Sequence, residues 1–180
     1  MNLFETISRR RSVRAFRDEP IGSDLIGRVL DAANRAPSAG NLQAYEIVLV
    51  TQPPIKEALA QAALHQYFLV EAPVVLVFAT NPHRSAIKYG QRGENLYCLQ
   101  DATIACTYAQ LAATALGLAN VWVGAYNDQA IRDILGLPHD SQPAALLAIG
   151  YPAEHPPANP RRDLRELVRR EAYGGPGFEP

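Results

Sequence analysis

Pro73-Val74-Val75-Leu76-Val77-Phe78-Ala79 is an unbroken apolar run near the middle of the chain. It is short and rich in β-branched residues, which predicts a strand that is buried on both faces. A strand of this kind needs helices on either side of its sheet. The run therefore indicates a sheet enclosed between layers of helix.

Three further strands and several helices are predicted around this run. The strands are residues 45–50, 121–126 and 144–150, each bounded by turn formers. The helices are the run that contains residues 4–7, a helix from residue 25 capped by Ser23-Asp24, and residues 55–64, 96–118, 129–135 and 162–173. With no internal repeat or linker, residues 1–180 are expected to form a single domain of the α+β or three-layer sandwich class. The periodicity does not set the order of the strands.

The helix predicted at residues 96–118 is apolar on most of its faces. Polar residues such as Gln100, Asp101 and Thr103 interrupt it, so it lacks the run of about 18 apolar residues that a membrane span requires. Such a helix is expected to be buried on most faces, and a second copy of the chain is expected to cover part of it. Asp101 is interpreted as a structural acid that is paired with a nearby arginine or with a helix end.

Composition and charge exclude several classes of function. The chain has 180 residues and a formal net charge of -1, which argues against nucleic acid as the main partner. The first residues do not resemble a secretory signal. Cys98 and Cys106, eight residues apart in a helical pattern, are too distant for a disulfide and are interpreted as buried thiols of a cytoplasmic protein. The four histidines and two cysteines have no metal-ligand spacing, so no metal is expected.

A dense basic cluster, Arg10-Arg11-Ser12-Val13-Arg14, follows the first predicted helix. Guanidinium groups together with a hydroxyl can bind a phosphate through several charge-assisted hydrogen bonds. Taken alone, this segment favours the simpler interpretation of a solvated basic patch at a helix C-terminus, where cations suit the helix dipole.

Four segments, taken together and in this order, resemble the FMN-dependent nitroreductase family. They are residues 10–16, residues 36–43 (Ala-Pro-Ser-Ala-Gly-Asn-Leu-Gln), residues 117–125 with Trp122-Val123-Gly124-Ala125, and residues 149–162 with Ile149-Gly150-Tyr151-Pro152. The resemblance extends from about Phe4 to Tyr173. It implies a mainly antiparallel sheet flanked by helices, in an intertwined homodimer with two FMN sites at the subunit interface.

The resemblance also implies which residues bind FMN. The matching positions are Arg10, Arg11, Ser12, Arg14, Pro37, Ser38, Ala39, Asn41, Gln66, Gly124, Ala125 and Arg161. Of these, Arg10, Ser12 and Arg161 are expected at the phosphate, with Arg11 near the phosphate and the ribityl chain. Arg14 is expected beside the pyrimidine edge of the flavin, where negative charge develops on reduction.

The other matching positions are expected around the flavin ring. The loop from Pro37 to Asn41 is expected to reach the flavin of the partner subunit. Gly124 and Ala125 are expected to bring backbone N–H groups to flavin N5, and Gln66 an amide to the ring or ribityl chain. Many members of the family have a Glu where this chain has Gly124, so carboxylate control of the site is not expected here.

The function that the resemblance implies is transfer of hydride from NADH or NADPH, through FMN N5, to a nitroaromatic, a quinone or a similar acceptor. No catalytic side chain is expected because the cofactor carries the chemistry. Three alternatives stay open: a specialised member that dehalogenates, desaturates or converts flavin, a non-catalytic flavin-binding dimer, and a phosphate-ester-binding domain unrelated to flavin.

Overall fold

The computed structural model describes residues 1–179, and in this part of the chain four strands pair into a sheet. The strands are β1 (Tyr45–Val50), β2 (Val74–Thr80), β3 (Ala119–Val123) and β4 (Pro143–Gly150). Their order across the sheet is β1, β2, β4, β3, and every neighbouring pair is antiparallel. The mainly antiparallel sheet that the resemblance implied is confirmed.

Helices lie on both faces of this sheet. The α-helices of residues 1–179 are α1 (Leu3–Arg9), α2 (Ser23–Asn34), α3 (Pro53–Ala62), α4 (Phe68–Glu71), α5 (Pro82–Arg92), α6 (Cys98–Ala115), α7 (Asp128–Leu135) and α8 (Leu164–Leu167). On one face α2 and α6 pack against side chains such as Phe78 and Leu147. On the other face α3, α4 and α7 pack against side chains such as Val77 and Leu146. The α+β sandwich with a sheet between helical layers is confirmed.

The apolar run at residues 73–79 forms the centre of the molecule. All seven residues of β2 are buried, and β2 lies between β1 and β4. Its side chains alternate between the two cores, with Phe78 in one and Val77 in the other. The prediction of a strand buried on both faces is confirmed.

The helix predicted at residues 96–118 is α6, and it is preceded by one π-helical turn, Gly93–Tyr97. Its inner face is buried, and Cys98 and Cys106 are free thiols in that face. Burial raises the pKa of Cys106 well above its usual value, so this thiol is kept protonated. The outer face leaves Leu99 and Tyr108 exposed. Among residues 1–179, no helix has both the length and the apolar character to cross a membrane.

Several element boundaries differ from the predictions. The predicted helix at residues 162–173 is only the single turn α8, because its apolar residues, such as Leu164 and Leu167, find no core and stay exposed. Helix α2 begins at Ser23 itself, and its N-cap Gly22 makes no side-chain hydrogen bond. Strand β3 ends at Val123, so Gly124 and Ala125 follow the strand. Helix α5 was not predicted, although Asn81 caps it and Pro82 begins it.

At the end of β4, Gly150 packs closely against Phe16, which follows the basic cluster of residues 10–14. A Cβ on Gly150 would lie 2.7 Å from Phe16 Cδ1 and 2.8 Å from Pro73 Cδ. We expect Gly150→Ala to lower the free energy of unfolding by about 1–3 kcal/mol through overpacking, measured by urea denaturation of the apoprotein.

Gly27→Ala is the matched control for this substitution. Gly27 lies inside α2, and a Cβ there would meet no atom within 4 Å. Because alanine is the better helix former, this variant is expected to be more stable by about 0.5–1 kcal/mol. A Gly150→Ala protein as stable as Gly27→Ala would contradict the packing argument.

Candidate functional site

The two ends of the chain meet in a cleft of about 520 Å³, here called the arginine cleft. Its walls are the segment that follows α1 and the proline-rich segment that follows β4. The residues that line it are Ile7, Ser8, Arg10, Arg11, Ser12, Arg14, Pro156, Pro157, Ala158, Asn159 and Arg161. The structure therefore brings together the basic residues that the resemblance assigned to the phosphate and ribityl end of FMN.

Backbone hydrogen bonds hold residues 10–17, here called the basic segment, in place. The Val13 N–H donates to Asn120 O at 3.2 Å, which attaches the segment beside β3. On its other side, the Arg17 N–H donates to Tyr151 O at 2.9 Å, and the Ala153 N–H donates to Ala15 O at 2.9 Å. The segment thus extends the sheet locally between β3 and the chain that leaves β4. This arrangement places residues 10–14 opposite residues 156–161.

The arginine cleft holds positive charge without a carboxylate partner. Within residues 1–179, none of the ion pairs involves Arg10, Arg14 or Arg161. Burial, and then the nearby charges of Arg161 and Arg11, lower the pKa of Arg10 below its usual value. A lowered pKa means that the charged form of Arg10 is disfavoured by its surroundings. Part of this effect is repulsion between the guanidinium groups, which an anion bound between them would relieve.

Arg11 and Arg14 have different surroundings from Arg10. The Arg11 guanidinium donates to Ser8 O at 2.6 Å and to Arg10 O at 2.9 Å, so it also satisfies carbonyl groups at the end of α1. The Arg14 N–H donates to the Glu154 carboxylate. The Arg14 guanidinium extends away from the segment and lies 6.0 Å from the centre of the Phe68 ring. Arg14 therefore connects the arginine cleft to α4.

A second group of predicted residues lies at this connection. Gln66 precedes α4, and its side-chain amide donates to Ala63 O at 2.8 Å and to Ala125 O at 3.1 Å. The structure thus brings Gln66 to the backbone that follows β3, where Gly124 and Ala125 were assigned to the flavin ring. A Cβ on Gly124 would lie 3.5 Å from Trp122 Nε1, an ordinary contact. A Cβ would therefore fit at position 124, so crowding at that atom does not explain why this chain has glycine instead of Glu there.

The loop from Pro37 to Asn41 lies apart from these groups within one protomer. Pro37, Ser38 and Ala39 line a different cleft, of about 530 Å³, against α6, and that cleft shares no residue with the arginine cleft. The Ala39 N–H donates to Asp101 Oδ1 at 2.9 Å, so the loop is attached to α6. Asn41, with φ of 58°, lies in the left-handed region. The loop is thus held in a defined shape, and it lines a cleft other than the arginine cleft of its own chain.

Asp101 is the acid that holds this loop. It is 2 % exposed, and its second oxygen accepts the Ala44 N–H at 3.3 Å. Its partners are therefore backbone N–H groups of the loop, rather than an arginine or a helix end. This is the role that the sequence left open.

Sequence reasoning did not select Glu154 or Asn159. Glu154 orients Arg14 through its backbone, and Asn159 lines the arginine cleft. The one available signal was their position in the proline-rich segment after β4, which predicts an extended chain close to Arg161. The Tyr126 hydroxyl donates to Pro143 O at 2.9 Å, and burial raises the pKa of Tyr126. It therefore fixes the start of β4.

The fold and the arginine cleft together define an α+β protein in which several arginines line one cleft. Comparison with known proteins identifies the family: the sequence profile described as Nitroreductase family matches residues 7–67 and 54–151. The chain belongs to the nitroreductase family.

Two relatives and one solved structure illustrate this membership. An NADH dehydrogenase of Thermus thermophilus is 34% identical over 187 residues, covering 89% of this chain and 91% of the relative. An FMN reductase [NAD(P)H] of Bacillus subtilis is 28% identical, covering 95% of this chain and 74% of the relative. The structure of the NADPH:FMN oxidoreductase from Vibrio harveyi in complex with NAD⁺ superposes with a TM-score of 0.88 at 29% identity, covering 96% of this chain and 78% of that one.

Proposed function

We propose that this protein is an FMN-dependent oxidoreductase that takes electrons from NADH or NADPH. The main support is the arginine cleft, in which basic residues from the N-terminal and C-terminal parts of the chain converge and, within residues 1–179, the guanidinium groups of Arg10, Arg14 and Arg161 form no ion pair. The names of the relatives agree with it, since they include an FMN reductase and an NADPH:FMN oxidoreductase. An enzyme of this class fits the fold, the family and the charge of the site.

The residues of the cleft fit the phosphate of FMN. A phosphate dianion accepts several hydrogen bonds, and Arg10, Ser12 and Arg161 supply guanidinium and hydroxyl donors around one space of about 520 Å³. Arg14, directed towards Phe68, would place its positive charge near the ring end of the same molecule. Gln66 and the backbone of Gly124 and Ala125 would then lie along the ring.

FMN held by these residues would supply the redox chemistry that links NADH or NADPH to a nitroaromatic, a quinone or a similar acceptor. The protein binds and orients the reactants, and the Arg14 charge stabilises negative charge at the pyrimidine edge. Within residues 1–179, no group of three or more His, Cys, Asp or Glu residues is arranged to hold a metal ion.

We further propose that a second copy of the chain completes the site. Helix α1 exposes 81% of Phe4 and 52% of Ile7, and α6 exposes Leu99 and Tyr108. Large apolar side chains concentrated on two helices that contact each other favour an interface. The loop from Pro37 to Asn41, which lines a different cleft in its own protomer, would then reach the arginine cleft of its partner. Light scattering of the FMN-loaded protein should give twice the mass of the 19.7 kDa chain.

We also propose that the whole chain acts as one domain in the cytoplasm. The segment after β4 returns to residues 15–17, so the two ends of the sequence share one structural unit. The two free, buried thiols are typical of a reducing compartment.

Release and identification of the cofactor is the first test. The purified protein, loaded with FMN if necessary, is expected to show the visible absorbance of bound flavin and to release FMN on denaturation. It should oxidise NADH or NADPH in the presence of excess menadione, and a nitroaromatic compound should replace the quinone. A protein that remains colourless after saturation with FMN would contradict the proposal.

Turnover separates the enzyme from the alternatives. Bound FMN without oxidation of either nicotinamide would favour a flavin-binding dimer without turnover or a specialised member of the family. Rapid reduction by one nicotinamide, measured by stopped flow, would support the proposal and identify the preferred donor.

A further inference from the structure

Lys56 is a buried cation that lies away from the arginine cleft. In the described part of the chain, residues 1–179, it is the only buried lysine or arginine, with 7% of its surface exposed. It projects from the middle of α3. Burial lowers the pKa of Lys56, and the charge of Asp18 partly offsets that effect. A charge in this position needs polar partners.

The partners of Lys56 are carbonyl groups at the end of α4. Its ammonium group donates to Val70 O at 2.8 Å and to Ala72 O at 2.7 Å. Ala72 is the C-cap of α4. The last carbonyl groups of a helix lack partners within the helix and carry the negative end of its dipole. An ammonium group is therefore well suited to hold this end.

Helix α4 is very short, so contacts from outside the helix must hold it in place. It has four residues, far fewer than a helix needs to persist by itself in water. Its other end continues from Gln66, whose carbonyl accepts the Leu69 N–H at 3.1 Å. The amide of Gln66 in turn donates to Ala125 O at 3.1 Å. Residues 66–72, which contain α4, therefore join the carbonyl groups held by Lys56 to the Gln66 amide that contacts Ala125.

We infer that Lys56 is a positioning residue for the flavin ring: by holding the C-terminal carbonyl groups of α4, it sets the place of Gln66 against Ala125. This inference rests on the proposed function. Lys56 contributes no atom to the arginine cleft, so its effect is on the ring end of the cofactor and not on the phosphate.

Riboflavin distinguishes the two ends, because it has the ring of FMN but no phosphate. Dissociation constants of FMN and riboflavin are measured by flavin fluorescence quenching with the apoproteins of the wild type and K56M. We expect K56M to weaken both flavins by the same factor, about 3- to 30-fold, a range within that measured for coupled residues of one hydrogen-bond network. K56R, which keeps a charged donor, should recover most of the affinity.

A double-mutant cycle with Q66A tests the route of the effect. If Lys56 acts through Gln66, K56M should weaken riboflavin by less than about twofold when Gln66 is already alanine. E57Q, at the adjacent position of α3, is the control and should leave both affinities unchanged. Should K56M fail to fold, K56Q carries the same comparison with an uncharged donor.

Two results would overturn the inference: riboflavin affinity of K56M equal to that of the wild type, or the same loss of affinity in the Q66A background as in the wild type. A wild-type apoprotein that binds neither flavin would instead contradict the proposed function.

Discussion

Replacing Arg10 with alanine is expected to weaken FMN binding about 10- to 150-fold, because a charge-assisted contact contributes about 1.5–3 kcal/mol. Arg10 lies in the arginine cleft with Arg161, and burial together with its cationic neighbours lowers its pKa. The phosphate of FMN is the group that would compensate this charge. Riboflavin binding should change little, since riboflavin lacks the phosphate. Titration of the apoprotein with each flavin measures both effects.

Removal of Arg10 is not expected to destabilise the apoprotein. Arg10 makes no ion pair within residues 1–179, and its removal relieves repulsion from Arg11 and Arg161. Arg9→Ala is the matched control, because Arg9 is the preceding residue but pairs with Glu5 on the exposed side of α1. This control should bind FMN as the wild type does. Equal FMN affinity in Arg10→Ala and Arg9→Ala would remove Arg10 from the phosphate site.

Replacing Asp101 with alanine is expected to cause the largest loss of stability, about 2–4 kcal/mol. The carboxylate is buried and accepts the N–H groups of Ala39 and Ala44, which would be left without these partners. For a chain of this length the loss corresponds to a decrease in Tm of about 5–15 °C. Calorimetry of the apoprotein measures it. Asp101→Asn keeps one acceptor oxygen and should lose less.

Asp31→Ala provides the comparison for Asp101→Ala. Asp31 pairs with Arg35 at 2.8 Å, but the two side chains are 60% and 74% exposed. A surface pair of this kind contributes less than about 1 kcal/mol. If Asp101→Ala and Asp31→Ala had the same Tm, the attachment of the loop from Pro37 to Asn41 to α6 would not be a major source of stability.

The strongest signals in the sequence predicted the fold well. The apolar run of β2 and the strand at residues 45–50 appear in the structure as predicted, since burial and β-branched composition agree there. Weak amphipathic patterns misled the prediction at residues 162–173, where a helical period has no core to pack against. The order of the strands in the sheet depends on contacts between distant parts of the sequence, and local periodicity does not reveal such contacts.

The candidate site likewise contains residues that the sequence predicted and contacts that it did not. The basic cluster and its resemblance to a family selected Arg10, Ser12 and Arg161, which the structure places in one cleft. The contact between Gln66 and Ala125 depends on how α4 packs beside the end of β3, and so only coordinates could reveal it. The role of Lys56 was also hidden, because a lysine in a helical pattern is ordinarily assigned to the surface.

The crystal structure of the protein in complex with FMN is the measurement that tests the central claim most directly. We expect electron density for the phosphate inside the arginine cleft, within hydrogen-bonding distance of the Arg10 and Arg161 guanidinium groups and of the Ser12 hydroxyl. A phosphate bound outside this cleft, with Arg10 and Arg161 facing solvent, would contradict it.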